Sequence, residues 1–239
     1  MMNQKKQESY VCVDLETTGL NPKTDKIIEI GAVRVENGVR TEVFETFVNP
    51  ACLLPQKITE LTGITDDMLK DAPEITDVLP DLMAFLREDV LLGHSVLFDY
   101  SFIKKAAVNK RMKFERQGID TLKIARRFLP ELESRSLDFL CGHYAIPHKA
   151  HRALADAEAT CLLYDRLWES FGGGEGAAVF APVALLYQAK RETPATPAQK
   201  ERLYKLIAKH KIVVEYEIEK LTRSEASRYT DRILAKYGR

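Results

Sequence analysis

Apolar and polar residues alternate at the start of the chain, with Val11, Val13 and Leu15 interleaved between Tyr10, Cys12, Asp14 and Glu16. That is the period-two signature of a β-strand. The same reading predicts strands over 26–36 and 39–48, joined across Asn37-Gly38, a strong two-residue hairpin signal. With the opening strand they make a meander, and 90–94 supplies a further short strand. The period then lengthens to that of a helix, predicting helices over 75–87, 98–109, 121–128, 136–142 and 152–171. Strands first and crossover helices later describe an α/β layered domain.

The last of those helices carries the sharpest chemical signal. From Asp156, steps of three, four, seven, eleven and fifteen reach Ala159, Thr160, Leu163, Leu167 and Phe171, an apolar stripe, so Asp156 faces the core. Glu158, Asp165 and Glu169 fall on the opposite, solvated side. A buried carboxylate must be neutralised, hydrogen-bonded or metal-bound. No Lys or Arg lies beside Asp156 on the stripe, which favours a metal. His151, five residues earlier, is about 140° out of alignment on a helix and therefore belongs to the preceding loop or cap.

Asp14 and Glu16 leave one face of their strand roughly 6 to 7 Å apart at their bases. Two carboxylates so placed can converge on cations, or can simply be the acidic face of a half-solvated strand. Thr17-Thr18-Gly19 follows as a turn whose backbone N–H groups and hydroxyls could approach a phosphate or sugar. A third cluster places His94 after the apolar run closed by Gly93, and Asp99 near a helix start. On these residues alone, Asp99 reads equally as a helix-cap or dipole partner and His94 as a structural histidine.

A glycine-rich break, Gly172-Gly173-Gly174-Glu175-Gly176, divides the chain. The expected organisation is a catalytic-type domain over 1–171, a linker with a connecting helix (177–190) over 172–197, and a small basic helical module over 198–239. Thr196-Pro197-Ala198-Gln199 and Thr222-Arg223-Ser224-Glu225 are capping-box patterns that open helices over 197–210 and 223–237, with a short extended piece over 212–216.

Lys and Arg balance Asp and Glu at 35 each, but unevenly: 22 against 27 through residue 171, then 13 against 8. The net charges of −5 and +5 make the tail either a holder of a phosphate backbone or a solvated bundle attracted to the acidic domain. The polar first eight residues and the lack of a long apolar run predict a soluble protein, cytoplasmic by default, with no membrane partner. Cys12, Cys52, Cys141 and Cys161 show no metal or disulfide spacing and read as free thiols.

Asp14-x-Glu16-Thr17-Thr18-Gly19-Leu20, with Ile28-Glu29-Ile30-Gly31-Ala32-Val33 downstream, resembles the first motif of the DnaQ-like, DEDDh-type 3′-to-5′ exonucleases. Gly93-His94 with Phe98-Asp99 resembles the second motif. His151-Arg152-Ala153-Leu154-x-Asp156-Ala157 resembles the third, and Leu61-Thr62-Gly63-Ile64-Thr65 matches a loop between them. The likeness runs from about residue 8 to residue 171 and extends to exonuclease domains of the DNA polymerase III epsilon and PolC types. Ser95 departs from it, since the family commonly carries Asn there.

The resemblance implies a ribonuclease H-like mixed sheet, antiparallel meander plus parallel strands, flanked by helices. It implies that Asp14, Glu16, Asp99 and Asp156 hold two divalent cations, that His151 is the general base, and that His94 supports the site. Carboxylate ligands suit hard Mg²⁺ or Mn²⁺. By the same resemblance Thr17, Thr18 and Leu20 would meet the terminal nucleotide; as apolar side chains Ile64 and Phe98 could offer apolar or stacking surface to bases, with core packing the alternative for Phe98. The expected substrate is nucleic acid with a free 3′ end, single-stranded DNA above all, with a DNA polymerase as a further partner. Trimming of RNA 3′ ends and a non-catalytic, polymerase-associated binding module are the alternatives.

Overall fold

The computed structural model describes residues 5–214 and 216–238. The meander forms as expected: β1 (Tyr10–Thr17), β2 (Ile27–Glu36) and β3 (Val39–Phe47) pair antiparallel, the last two around Asn37 and Gly38 at φ 53° and 77°. Two short helices follow, α1 (Gln56–Thr62) and α2 (Asp66–Leu69), and then α3 (Ile75–Leu86). The chain continues through β4 (Leu91–Gly93), α4 (Leu97–Asn109), β5 (Gln117–Asp120), α5 (Thr121–Phe128), α6 (Leu137–His143) and α7 (Ala153–Phe171). It ends with β6 (Val183–Ala184), α8 (Pro197–His210) and α9 (Arg223–Tyr237). The strands form one sheet in the order β3-β2-β1-β4-β5-β6, with β1, β4 and β5 parallel and the remaining pairs antiparallel. This is the mixed sheet expected.

Strand alternation sorts the core into two layers. Val11, Val13 and Leu15 pack with α3 and α4 residues such as Leu82, Tyr100 and Ile103 on one face. Tyr10 and Cys12 pack on the other with α5, α6 and α7 residues such as Ile124, Leu140 and Leu163. Asp14 and Glu16 continue the Tyr10/Cys12 series, so period two aims them at the layer that contains α7. On α7 the predicted stripe is realised: Asp156, Ala159, Thr160, Leu163 and Leu167 are all buried.

What lets α7 approach is a single glycine. A methyl group on Gly31 would stand 2.1 Å from the Leu154 nitrogen and 2.2 Å from the Ala153 carbonyl carbon, so the first turn of α7 lies directly on β2. Gly31 is also the cross-strand neighbour of Asp14. The helix therefore begins beside the carboxylate strand.

Several expectations need correction. Residues 177–190 form no α-helix. A 3-10 turn (Gly174–Phe180) ends at Ala181 in extended conformation, because Pro182 has no N–H to donate and disfavours a helical residue before it. Beyond it β6 pairs with β5, and Leu185 is buried against Gly118. The proposed linker is thus partly a sheet strand. Gly63, in the loop matched between motifs, has φ 71° and caps α1, while Thr65 begins α2, two short helices that periodicity did not resolve. β5 was likewise unanticipated, since Gln117–Asp120 is too brief to alternate legibly. The described residues of 212–216 form no strand, and Glu215 lies outside the described residues.

The C-terminal module forms around Leu203, Ile218, Leu221, Ala226 and Ile233. Both capping boxes are present, with Gln199 and Glu225 returning to the backbones of Thr196 and Thr222. It docks on the loop after β1: Lys26 pairs with Glu225 at 2.9 Å, and Arg228 donates to the Thr24 carbonyl at 2.6 Å. No described helix is long and apolar enough to cross a membrane.

Because the atoms facing Gly31 are backbone and cannot rotate away, Gly31→Ala should lower stability by about 3 kcal/mol or more and reduce activity by lifting Asp156 from Asp14. Urea denaturation with a parallel activity assay checks this. A loss below about 1 kcal/mol would mean that α7 shifts freely and that its seat on β2 is unimportant.

Candidate active site

Asp14, Glu16 and Asp156 converge as the alternation and the helical stripe require. Each offers an oxygen, and the three oxygens lie within 4.8 Å of one another. Burial pushes the Asp14 carboxyl well above the usual range, and repulsion from Asp99, Asp156, Glu16 and Glu29 adds to it. Burial raises Glu16 to about 7, with Asp156 and Glu29 contributing and Arg152 opposing.

Asp99 reaches the same end of β1 from the other layer. It sits in the first turn of α4, is almost fully buried, and accepts the Leu15 N–H at 3.1 Å. Its partner belongs to β1, so it does not cap its own helix. Burial again raises its pKa well above the carboxylate range, opposed by the hydrogen bonds it accepts.

His151 stands outside α7, exposed and at φ 65°, with Arg152 as the cap residue. A left-handed non-glycine residue stores about 1 to 3 kcal/mol of strain. Arg152 and Ala153 are held by Glu29, which is fully buried: it accepts from Arg152 Nε at 3.0 Å and Nη2 at 2.7 Å, and from the Ala153 N–H at 3.0 Å. Glu29 pairs across the strands with Glu16. A glutamate quoted above only as part of a motif is therefore the clamp that fixes the start of α7.

Asp156 is not partnerless. It accepts the Arg152 N–H at 3.1 Å, and His148 Nε2 donates to its other oxygen. The His148 side chain is only 5 % exposed, with Nδ1 3.5 Å from Asp138. Sequence reasoning missed His148. Its one signal was the spacing to His151, a step of three across a loop, which carries no periodic meaning.

His94 is a supporting residue. Nε2 donates to the Arg135 carbonyl at 2.8 Å, which leaves Nδ1 as acceptor for the Thr121 hydroxyl at 2.9 Å. Burial lowers its pKa, so the ring is a neutral strut between β4, α5 and the loop before α6. Ser95 has φ 77°, and its backbone N–H donates to Asp120 at 3.0 Å. That bond needs no side-chain amide. Asn suits this position because it tolerates the left-handed region better than Ser.

The expected substrate contacts divide. Thr17 donates its hydroxyl to the Gly19 carbonyl at 2.7 Å, and Thr18 accepts the Lys26 N–H at 2.9 Å, so both shape the loop that carries Leu20. Leu20 is 84 % exposed. Phe98 is partly buried against the core, its ring tilted by 54° to that of Phe102 with centroids 5.0 Å apart. Ile64 is fully buried with Ile28 and Leu69, because the α1–α2 turn folds it inward, so its side chain presents no surface to a ligand.

Carboxylates that repel one another in a buried cluster are a donor set for hard divalent cations, and the cluster fits such ions. Two measurements test the local physics. Raised folded-state pKa values favour folding below the unfolded pKa, and that advantage is lost as pH rises through the folded pKa. In EDTA, Asp14→Asn should therefore melt several degrees above the parent at pH 8, with the gap narrowing toward pH 5; a less stable variant at pH 8 would contradict the electrostatics. Ser95→Asn should raise stability by about 1 kcal/mol in denaturant titration, and a decrease would show that the hydroxyl is needed.

Comparison with known proteins agrees with this geometry. The exonuclease family model of RNase T type matches residues 11–164. The chain is 36 % identical over 245 residues to a DNA polymerase III PolC-type protein of Oceanobacillus iheyensis, covering 95 % of the chain but 17 % of that protein. The chain thus spans about a sixth of the length of that relative. It is 37 % identical over 173 residues to the DNA polymerase III subunit epsilon of Aquifex aeolicus, covering 70 % of the chain and 86 % of the relative. Among solved structures, exonuclease X in complex with 5′ overhanging duplex DNA superposes with a TM-score of 0.58 at 24 % identity, over 72 % of this chain and 99 % of that one. E. coli exonuclease I in complex with a dA16 oligonucleotide gives 0.62 at 19 % identity, over 73 % and 42 %. These two likenesses concern the fold. With the family model spanning more than half of its length, the chain belongs to the exonuclease family.

Proposed function

We propose that the chain removes nucleotides one at a time from the free 3′ end of single-stranded DNA. The observation that carries this reading is the convergence of Asp14, Glu16 and Asp156 within 4.8 Å, with Asp99 at the same strand end and an exposed His151 in the loop that leads into α7. Asp14, Glu16, Asp99 and Asp156 would hold two Mg²⁺ or Mn²⁺ ions. Paired cations, when bound, stabilise the attacking and leaving oxygens of an in-line phosphoryl displacement.

The residues supply the rest. His151 removes the proton of the attacking water, whose oxygen bonds to phosphorus as the 3′ oxygen of the penultimate nucleotide departs. The products are a nucleoside 5′-monophosphate and a strand one residue shorter with a new 3′ hydroxyl. The Glu29 clamp keeps Arg152 and the start of α7 in place, so His151 and Asp156 keep their spacing. His148 must release Asp156 Oδ1 before that oxygen can serve a cation. Leu20, exposed on the loop held by Thr17 and Thr18, would wedge beside the terminal base.

The likeness to PolC-type and epsilon proteins supports an association with a DNA polymerase. Co-purification with the replicative polymerase tests it.

The central experiment digests 5′-labelled single-stranded DNA and RNA with Mg²⁺, with free and 3′-blocked ends side by side. A ladder that shortens from free 3′ ends of DNA is expected; internal cutting of blocked strands would sink the exonuclease reading, and preference for RNA would reassign the sugar. Asp156→Ala should abolish turnover in a chain that stays folded by circular dichroism. His151→Gln should lower kcat by about 10² to 10⁴ with little change in cation affinity. Equal losses in both would make His151 a ligand.

A further inference from the structure

Beyond the carboxylate cluster, the seam between the loop after β1 and the C-terminal module holds an unassigned cavity of about 340 Å³. Thr18, two residues beyond Glu16, is among its lining residues. Tyr216, Tyr229, Arg228 and Arg232 of the module line it too, among apolar residues such as Leu53, Ile212 and Ile233. The two tyrosine rings stack with centroids 3.9 Å apart and planes inclined by 13°. A more open trough of about 860 Å³ continues outward, sharing Arg228 and Arg232 and adding Lys23 and Arg223.

The charges along this path are unbalanced. Arg228 is occupied by Asp25 and the Thr24 carbonyl. Lys23, Arg223 and Arg232 are exposed, and none has a carboxylate partner among the described residues. Among the described residues, Asp25 and Asp231 are the acidic residues lining the cavity and the trough, and Asp25 is already held by Arg228. Two free cations of the tail, Arg223 and Arg232, therefore line the trough together with Lys23 of the loop that carries Leu20.

We propose that this path is the entry groove for the substrate strand, taking the nucleotides upstream of the scissile end, with phosphates on Lys23, Arg223 and Arg232 and a base against the Tyr216/Tyr229 pair. Positive charge tracking a backbone beside stacked aromatic rings is the chemistry that holds single strands without reading sequence. An acidic peptide would satisfy the cations but leave the aromatic pair without a purpose, and continuity with Thr18 favours the strand. The module then acts as a substrate-holding wall, and the enzyme prefers long strands to very short ones. This inference rests on the exonuclease reading above.

The test compares a dinucleotide, too short to reach the groove, with a 20-nucleotide single strand. The variant replaces Lys23, Arg223 and Arg232 by Ala, all at exposed positions. The control replaces Arg202 and Lys205 by Ala on α8, away from the groove. The groove variant should raise KM for the 20-mer about tenfold or more and leave dinucleotide kcat/KM within twofold. The slope of log KM against log salt should fall by about 2, as expected for three lost phosphate contacts to a single strand. The control should match the parent.

An unchanged 20-mer KM overturns the groove, as does an equal loss on both substrates or an equal loss in the control. If the parent digests neither substrate, the exonuclease reading fails separately. Fluorescence anisotropy of the labelled 20-mer with Ca²⁺ then decides the groove by itself: weakened binding in the groove variant alone supports it, and unchanged binding points to a protein partner instead.

Discussion

The site depends on how closely one helix can lie on one strand. Gly31 removes the side chain that would separate α7 from β2, and Glu29, two residues earlier on the same strand, grips the helix start through Arg152 and the Ala153 N–H. Neither device suffices alone. Without the glycine the helix could not come down, and without Arg152 to pair with it β2 would carry a buried glutamate short of its charged partner, a defect worth about 3 to 5 kcal/mol in other buried pairs. Together they fix Asp156 against Asp14 and Glu16, which β1 already aims into the same layer. Asp99 arrives from the opposite layer, bonded to β1 itself. Four carboxylates from three elements thus meet at one strand end because one backbone approach is allowed and fastened.

The cluster is built against its own electrostatics. Burial and mutual repulsion raise Asp14, Asp99 and Glu16, so the fold holds these groups in a state that favours protonation until a cation offsets them. His148 relieves part of that conflict by donating to Asp156. The strain at His151 and Ser95, both in the left-handed region, lies in the loops that deliver α7 and α4 to the same place. Conflict of this kind concentrates where function requires it.

Much of the fold was legible because its signals are local. Alternation in β1, the Asn37-Gly38 turn, the α7 stripe and the two capping boxes each depend on residues a few positions apart, and each appears as read. The elements that escaped, α1, α2, β5 and β6, are seven residues or fewer. Their existence depends on partners distant in sequence. β6 is a strand because β5 offers an edge, and Pro182 forbids the alternative. The site shows the same division. Asp14, Glu16 and Asp156 could be aimed from periodicity, whereas Asp99 rested on resemblance until its bond to Leu15 was seen. The Ile64 expectation failed because a loop position says nothing of which way a turn folds its side chain, and His148 was invisible because only the folded loop brings it to Asp156.

The small strand β6 has a practical consequence for anyone dividing this chain. The glycine run after α7 looks like a place to cut, yet the residues beyond it seat Phe180 among Phe128, Tyr164 and Trp168 and cover the outer edge of β5. A fragment ending at Phe171 would expose that aromatic pocket and a row of unpaired backbone donors and acceptors, the template on which sheets join edge to edge and aggregate. The packing of the sheet therefore reaches at least through Leu185. The flexible-looking sequence after α7 is a hem that keeps the sheet from unravelling into its neighbours.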